Sequence, residues 1–139
     1  MKRNRLSLFL GLCTLSCAHL VPANWRAFEG QIPTLKPLVI ASLSENGLTV
    51  VADDSLKTKV VTQWRYSNSD SLSRERQRVI VYWKTEDDDK AVVIYVQHEN
   101  QSIESSINGG IDYKAIYPNQ DLQTKLLDDI TSKIVNSSP

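Results

Sequence analysis

The sequence is poor in the residues from which most active sites are built. Its 139 residues include two cysteines and two histidines. Both cysteines, Cys13 and Cys17, precede everything that reads as folded chain. The remainder can therefore form neither an internal disulfide nor a thiolate metal cage. His19 and His98 lie far apart, and His98 has no second histidine at helical spacing, so no metalloprotease motif exists. Glycine is scarce as well: there are five, with no glycine-rich phosphate loop and no Gly-x-Ser-x-Gly elbow to present a serine nucleophile. The expectation is a protein that is not an enzyme and uses no metal and no cofactor. An excess of one charge is also missing, since 16 Lys and Arg balance 16 Asp and Glu. No basic stripe runs through the chain, so no nucleic-acid partner is expected.

Long apolar runs are absent too, and the one short run is informative. Lys2, Arg3 and Arg5 precede an apolar stretch from Leu6 to Ala18, with no acid before Glu29. A basic head, a short apolar run and then small residues form the layout of a secretory signal peptide. The run is too short for a membrane span, which needs roughly 20 apolar residues. Two processing outcomes follow. Val21 and Ala23 suit cleavage before Asn24, whereas Thr14-Leu15-Ser16-Cys17 resembles a bacterial lipobox, with Thr14 in place of the usual leucine. The lipobox is the leading reading, because acylation of Cys17 (palmitate-type chains) accounts for a thiol in an oxidising compartment. Residues 1–16 are then a signal peptide, 17–32 a lipid-anchored tether, and 33–139 a single α+β periplasmic domain. From Cys17 onward, 13 basic residues face 16 acidic ones over 123 residues, enough for one core and not two.

Within that domain, PTLKPLVIASLSENG is ambiguous. It reads as a helix from about Pro37, with Leu35, Leu38, Val39, Ser42 and Leu43 on one face and Gly47 past its end. PLVIASL also reads as a short strand; the helix is preferred. GLTVVADD, TKVVTQWRY, RQRVIVYWK and AVVIYVQHE follow with period-two patterns rich in β-branched and aromatic residues, as strands have. Their short connections predict antiparallel pairing. One further strand and a Gly-Gly turn are expected before the end. There Leu122, Leu126, Ile130 and Ile134 predict a C-terminal helix, with Asn119 or Asp121 at its cap. The predicted fold class is α+β: a helix, an antiparallel meander of four or more strands, and a C-terminal helix packed on the sheet.

The ordered pieces G-x-T-V, D-D, V-V-T-x-W and R-x-R-x-x-V, from Gly47 to Val81, resemble small bacterial envelope lipoproteins with domains like that of BamC. BamC is the accessory lipoprotein of the outer-membrane β-barrel assembly machinery. The resemblance spans roughly Leu35 to Gln101. It implies a helix-grip-like architecture and a structural or assembly role without catalysis, and it brings no catalytic residues. It also implies membrane attachment facing the periplasm, at the outer membrane, and subunits of an envelope complex as partners.

The residues offer one candidate contact surface. Arg74, Arg76 and Arg78 alternate, so in an extended chain they share a face that continues through Ile80 and Tyr82. With Val79, Val81 and Trp83 turned to the helices, that face is the outer one. Val61, Gln63 and Arg65 would join it from one neighbouring strand and Val93, Tyr95 and Gln97 from the other. Tyrosine and arginine are favoured in binding hot spots. Arg74, Arg76, Arg78, Tyr82 and Tyr95 are therefore the candidate partner contacts, against the simpler expectation of a half-wet sheet whose arginines meet acids across strands. The alternative function is a periplasmic carrier holding a lipid or other apolar ligand between sheet and helix, lined by Trp64 and Trp83. His98 is expected as a structural residue near a strand end, and Glu86–Asp89 as a solvated hairpin tip.

Overall fold

The computed structural model describes residues 24–51, 58–69, 73–86 and 90–137. Both cysteines, His19, the processing sites and Asp87 to Asp89 lie outside them. The chain begins with a strand, β1 (Trp25–Glu29), followed by helix α1 (Ile32–Glu45). Strands β2 (Lys59–Val61), β3 (Arg65–Ser69), β4 (Ser73–Glu86), β5 (Ala91–Ser105) and β6 (Ile111–Ile116) come next, and helix α2 (Gln120–Ser137) closes it. The α+β class, the antiparallel sheet and the packed C-terminal helix are as the periodicities predict.

All pairings are antiparallel, and the frame is the long hairpin of β4 and β5, in register from Arg74↔Ile103 to Glu86↔Ala91. Each long strand carries two short ones in line on its free side. β2 and β3 pair β4, while β1 and β6 pair β5. The result is a sheet four lanes wide. Residues 49–51 lie alongside β2, where Val51 N–H donates to the Val61 carbonyl at 2.8 Å and Val50 bridges Thr62. GLTVVADD, expected as a full strand, thus supplies a single bridge among its described residues.

Both helices cover one face. Val60, Val79, Val81, Trp83, Val92, Ile94 and Val96 meet Leu35, Val39 and Leu43 of α1 and Leu126, Leu127, Ile130 and Ile134 of α2 in one buried cluster. α1 starts at Ile32 rather than near Pro37, because Pro33 takes the first-turn position that needs no amide donor. Pro37 sits inside the helix. Gly47, at φ +71°, ends it as read from sequence. Leu48 N–H donates to the Leu43 carbonyl and Gly47 N–H to that of Ser44, both at 2.9 Å, a Schellman pair that closes the helix. At α2, Asn119 is the cap that forms, its Oδ1 accepting from Leu122 N–H at 3.0 Å. No helix among the described residues is long and apolar enough to cross a membrane.

Two differences from the sequence reading matter for the site. Residues 25–29, expected within a tether, form β1 against Ala91 to Tyr95. Arg26 on its helix side binds Asp128 at 2.5 Å and Thr131 at 2.8 Å of α2. The second difference lies between β2 and β3. Val61 pairs Ile80, yet Arg65 pairs Gln77, so this strand has one residue more than β4 over that interval. Gln63 and Trp64 both stand opposite Arg78, a β-bulge. Every side chain after it changes face.

Candidate functional site

The bulge decides what the outer face of the sheet presents. Without it, Trp64 would follow Val60 and Thr62 into the core. With it, Trp64 turns outward, while Arg65, expected on the outer face, passes to the helix side. Gln63 stays exposed at the bulge, and Val61, Val93, Tyr95 and Gln97 stand on the outer side as predicted, Val93 buried there among its neighbours.

Two groups of side chains form on this face. The first is an aromatic row across three lanes. Tyr82 and Tyr95 are direct cross-strand partners whose rings stack at 4.8 Å, tilted by 1°. Trp25 of β1 pairs Tyr95 with ring centres 6.4 Å apart and remains half exposed. Lys84 Nζ approaches the Tyr95 ring at 5.7 Å. Offset and stacked aromatic pairs contribute about 0.5–1.5 kcal/mol beyond their buried area.

The second group is built on arginine. The Arg76 guanidinium lies 4.2 Å from the Trp64 ring centre and 3.4 Å from that of Tyr113, between the two, and its Nε donates to Gln101 at 2.8 Å. Arg78 sits 4.4 Å from Trp64 and forms an ion pair with Glu99 at 2.6 Å. The cross-strand acid expected for these arginines is thus present for Arg78, whereas Arg76 is held by aromatic rings and an amide. Arg74 is exposed farther along β4, and Tyr66 stands opposite Arg76. Beside this group a shallow groove of about 420 Å³ runs between Val51, Lys59, Val61, Trp64, Arg78 and Ile80.

Of the predicted contacts, Arg74, Arg76, Arg78, Tyr82 and Tyr95 all lie on the one outer face, and Cys17 lies outside the described residues. Trp25, Trp64, Tyr66 and Tyr113 belong to the same surface and were missed. Tyr113 was within reach, since Ile111, Tyr113 and Ala115 alternate with polar residues. Trp64 was not, because a bulge leaves no periodic mark in the sequence.

The space between sheet and helices offers less room. A pocket of about 220 Å³ opens among Leu48, Arg65, Gln77, Val79, His98 and Leu126. Ligand sites usually occupy roughly 300–1,000 Å³. Trp64, expected to line an apolar chamber, faces away, and Trp83 is packed in the core at 5% exposure. His98 lies in mid-strand rather than near a strand end. It is buried, its Nδ1 accepting from Asn119 N–H and its Nε2 bonding Gln77 Oε1, both at 3.0 Å. Because Nδ1 accepts, the ring proton sits on Nε2 and the imidazole is neutral. Burial holds its pKa below the usual 6.5. Gln123 Oε1 accepts from His98 N–H at 2.9 Å, so one histidine fastens both the cap and the first turn of α2 to β5.

An open polar notch of about 580 Å³ separates the end of α1 from α2. Its charges satisfy one another: Lys125 bonds Asp129 at 2.8 Å and Asn46 at 2.6 Å, and Lys133 pairs with Glu45. Among the described residues no group of three or more His, Cys, Asp or Glu is placed to hold a metal ion. No protein-family model matches this chain, and no curated protein matches it either.

Proposed function

We propose that this chain is a non-catalytic lipoprotein of the bacterial cell envelope, anchored by acylated Cys17, that docks a subunit of an envelope assembly complex through the outer face of its sheet. The observation that carries the reading is the arginine–aromatic surface, left uncovered by the described residues, on the side of the sheet opposite the two helices. The six strands, in four lanes about 4.8 Å apart and rising about 3.3 Å per residue, give this face roughly 750 Å². A standard interface buries about 800 Å² per partner. Tyr82, Tyr95 and Arg76 are already stacked, so docking costs less side-chain entropy than ordering free side chains would. The BamC-like order of segments and the basic, apolar N-terminus agree with an accessory role at a membrane.

The anchor and the face are tested separately. Intact mass of the membrane-extracted protein is expected to give an acylated chain beginning at Cys17; a chain beginning at Asn24 contradicts the anchor. For the face, a photo-crosslinking residue at Tyr95 is expected to capture an envelope protein in cells. The same residue at Val135, exposed on the far side of α2, is expected to capture none. Equal capture from both positions contradicts docking through the sheet.

A further inference from the structure

Exposed apolar side chains concentrate on one hairpin. Ile107 is fully exposed, Tyr117 is 92% exposed, and Ile111 and Tyr113 are 61% and 45% exposed. All four flank or belong to β6, whose outer edge pairs with no other described strand. Natural sheets guard such an edge with proline, a bulge, a very short strand or charged side chains, lysine above all. β6 has no proline and one lysine, and its register with β5 is unbroken from Asn100↔Ile116 to Ser105↔Ile111. Gly109, at φ +78°, closes the turn with Ser106, whose N–H donates to the Gly110 carbonyl at 2.8 Å. The other edge of the sheet is interrupted by the bulge and accompanied by residues 49–51.

The sequence of β6 is complementary to itself. In an antiparallel pairing centred on Tyr113, Asp112 stands opposite Lys114 of a second copy, and Lys114 opposite its Asp112. Ile111 then faces Ala115, and Tyr117 reaches the second copy's Gly109 turn beside Ile107. Within one chain Asp112 faces Glu104, a like charge, and Lys114 is already engaged by Glu104 at 2.5 Å. Its own Lys114 lies two residues along the same face; a second copy places a further lysine directly opposite Asp112, and does so twice by symmetry.

We infer that β6 is a self-pairing edge through which two copies of this chain join their sheets around Tyr113. The inference is independent of any envelope partner, although the joined sheets would set two arginine–aromatic faces side by side. Charge reversals test it, read by sedimentation of the purified full chain over a range of concentrations. The unaltered chain is expected to dimerise. Asp112→Lys, which opposes two lysines across the joint, is expected to weaken the dimer about tenfold or more, and Lys114→Asp to do the same with two aspartates. An equimolar mixture of the two variants restores opposite charges at both positions and is expected to recover dimer. Asp112→Lys also faces Glu104 favourably within its own chain, so its melting temperature is expected to hold and a loss of dimer is not a loss of fold. A monomer at every concentration overturns the inference. So does a dimer indifferent to Asp112→Lys, or a mixture that stays monomeric while both variants melt as the unaltered chain does.

Discussion

Acidifying the protein from about pH 7 to about pH 5 lowers its melting temperature, and replacing His98 by leucine removes most of that dependence. The imidazole is neutral in the fold and its pKa is lowered by burial. The unfolded chain therefore binds the proton first as pH falls. Stability from this group is fully present above the unfolded value of about 6.5 and is lost as pH drops below it towards the folded value. The slope is bounded by one proton, about 1.4 kcal/mol per pH unit. Protonating Nδ1 would turn the acceptor of Asn119 N–H into a second donor, so the first consequence is release of the α2 cap. His98→Leu itself is expected to cost about 1–3 kcal/mol at pH 7, because Asn119 N–H and Gln77 lose their partner. Thermal melts of both proteins across that range check the prediction. Asp129, held low by Lys125, titrates well below this window.

The role of His98 illustrates how far the sequence could be read. Its position in an alternating run marks it as structural, but nothing in that run shows that it reaches the cap of a helix 21 residues on. The strongly periodic parts were legible. The stripe from Leu122 to Ile134, the two-residue alternation of β4 and β5 and the Gly47 stop all obey local rules and take the expected positions. β1 was not legible, since WRAFE is too short and mixed to show a period, and pairing with Ala91 to Tyr95 creates it. The bulge was not legible for a deeper reason. One extra residue between Thr62 and Arg65 costs nothing in composition but exchanges the two faces of everything beyond it. The arginines of β4 were correctly assigned to the outer face because β4 itself is regular. Their aromatic partners, Trp64 from across the bulge and Tyr113 from β6, come from strands whose register only the assembled sheet fixes.

The second large effect concerns that face. Arg76→Ala and Tyr82→Ala together remove the cation held between Trp64 and Tyr113 and one ring of the Tyr82–Tyr95 stack. Neither side chain belongs to the core, so the fold is expected to lose only about 1–3 kcal/mol, from the stacking and cation–π contacts. Binding should suffer more. Two hot-spot residues at about 2 kcal/mol each correspond to a loss in affinity on the order of a hundredfold or more. Arg26→Ala supplies the control, because it breaks the contacts with Asp128 and Thr131 on the helix side and leaves the outer face intact. The deciding measurement is quantitative co-purification from solubilised native membranes, with melting curves confirming that each variant is folded. Envelope proteins recovered with the unaltered chain and with Arg26→Ala are expected to disappear from the Arg76→Ala/Tyr82→Ala protein. Undiminished recovery with that double variant would contradict docking through this face.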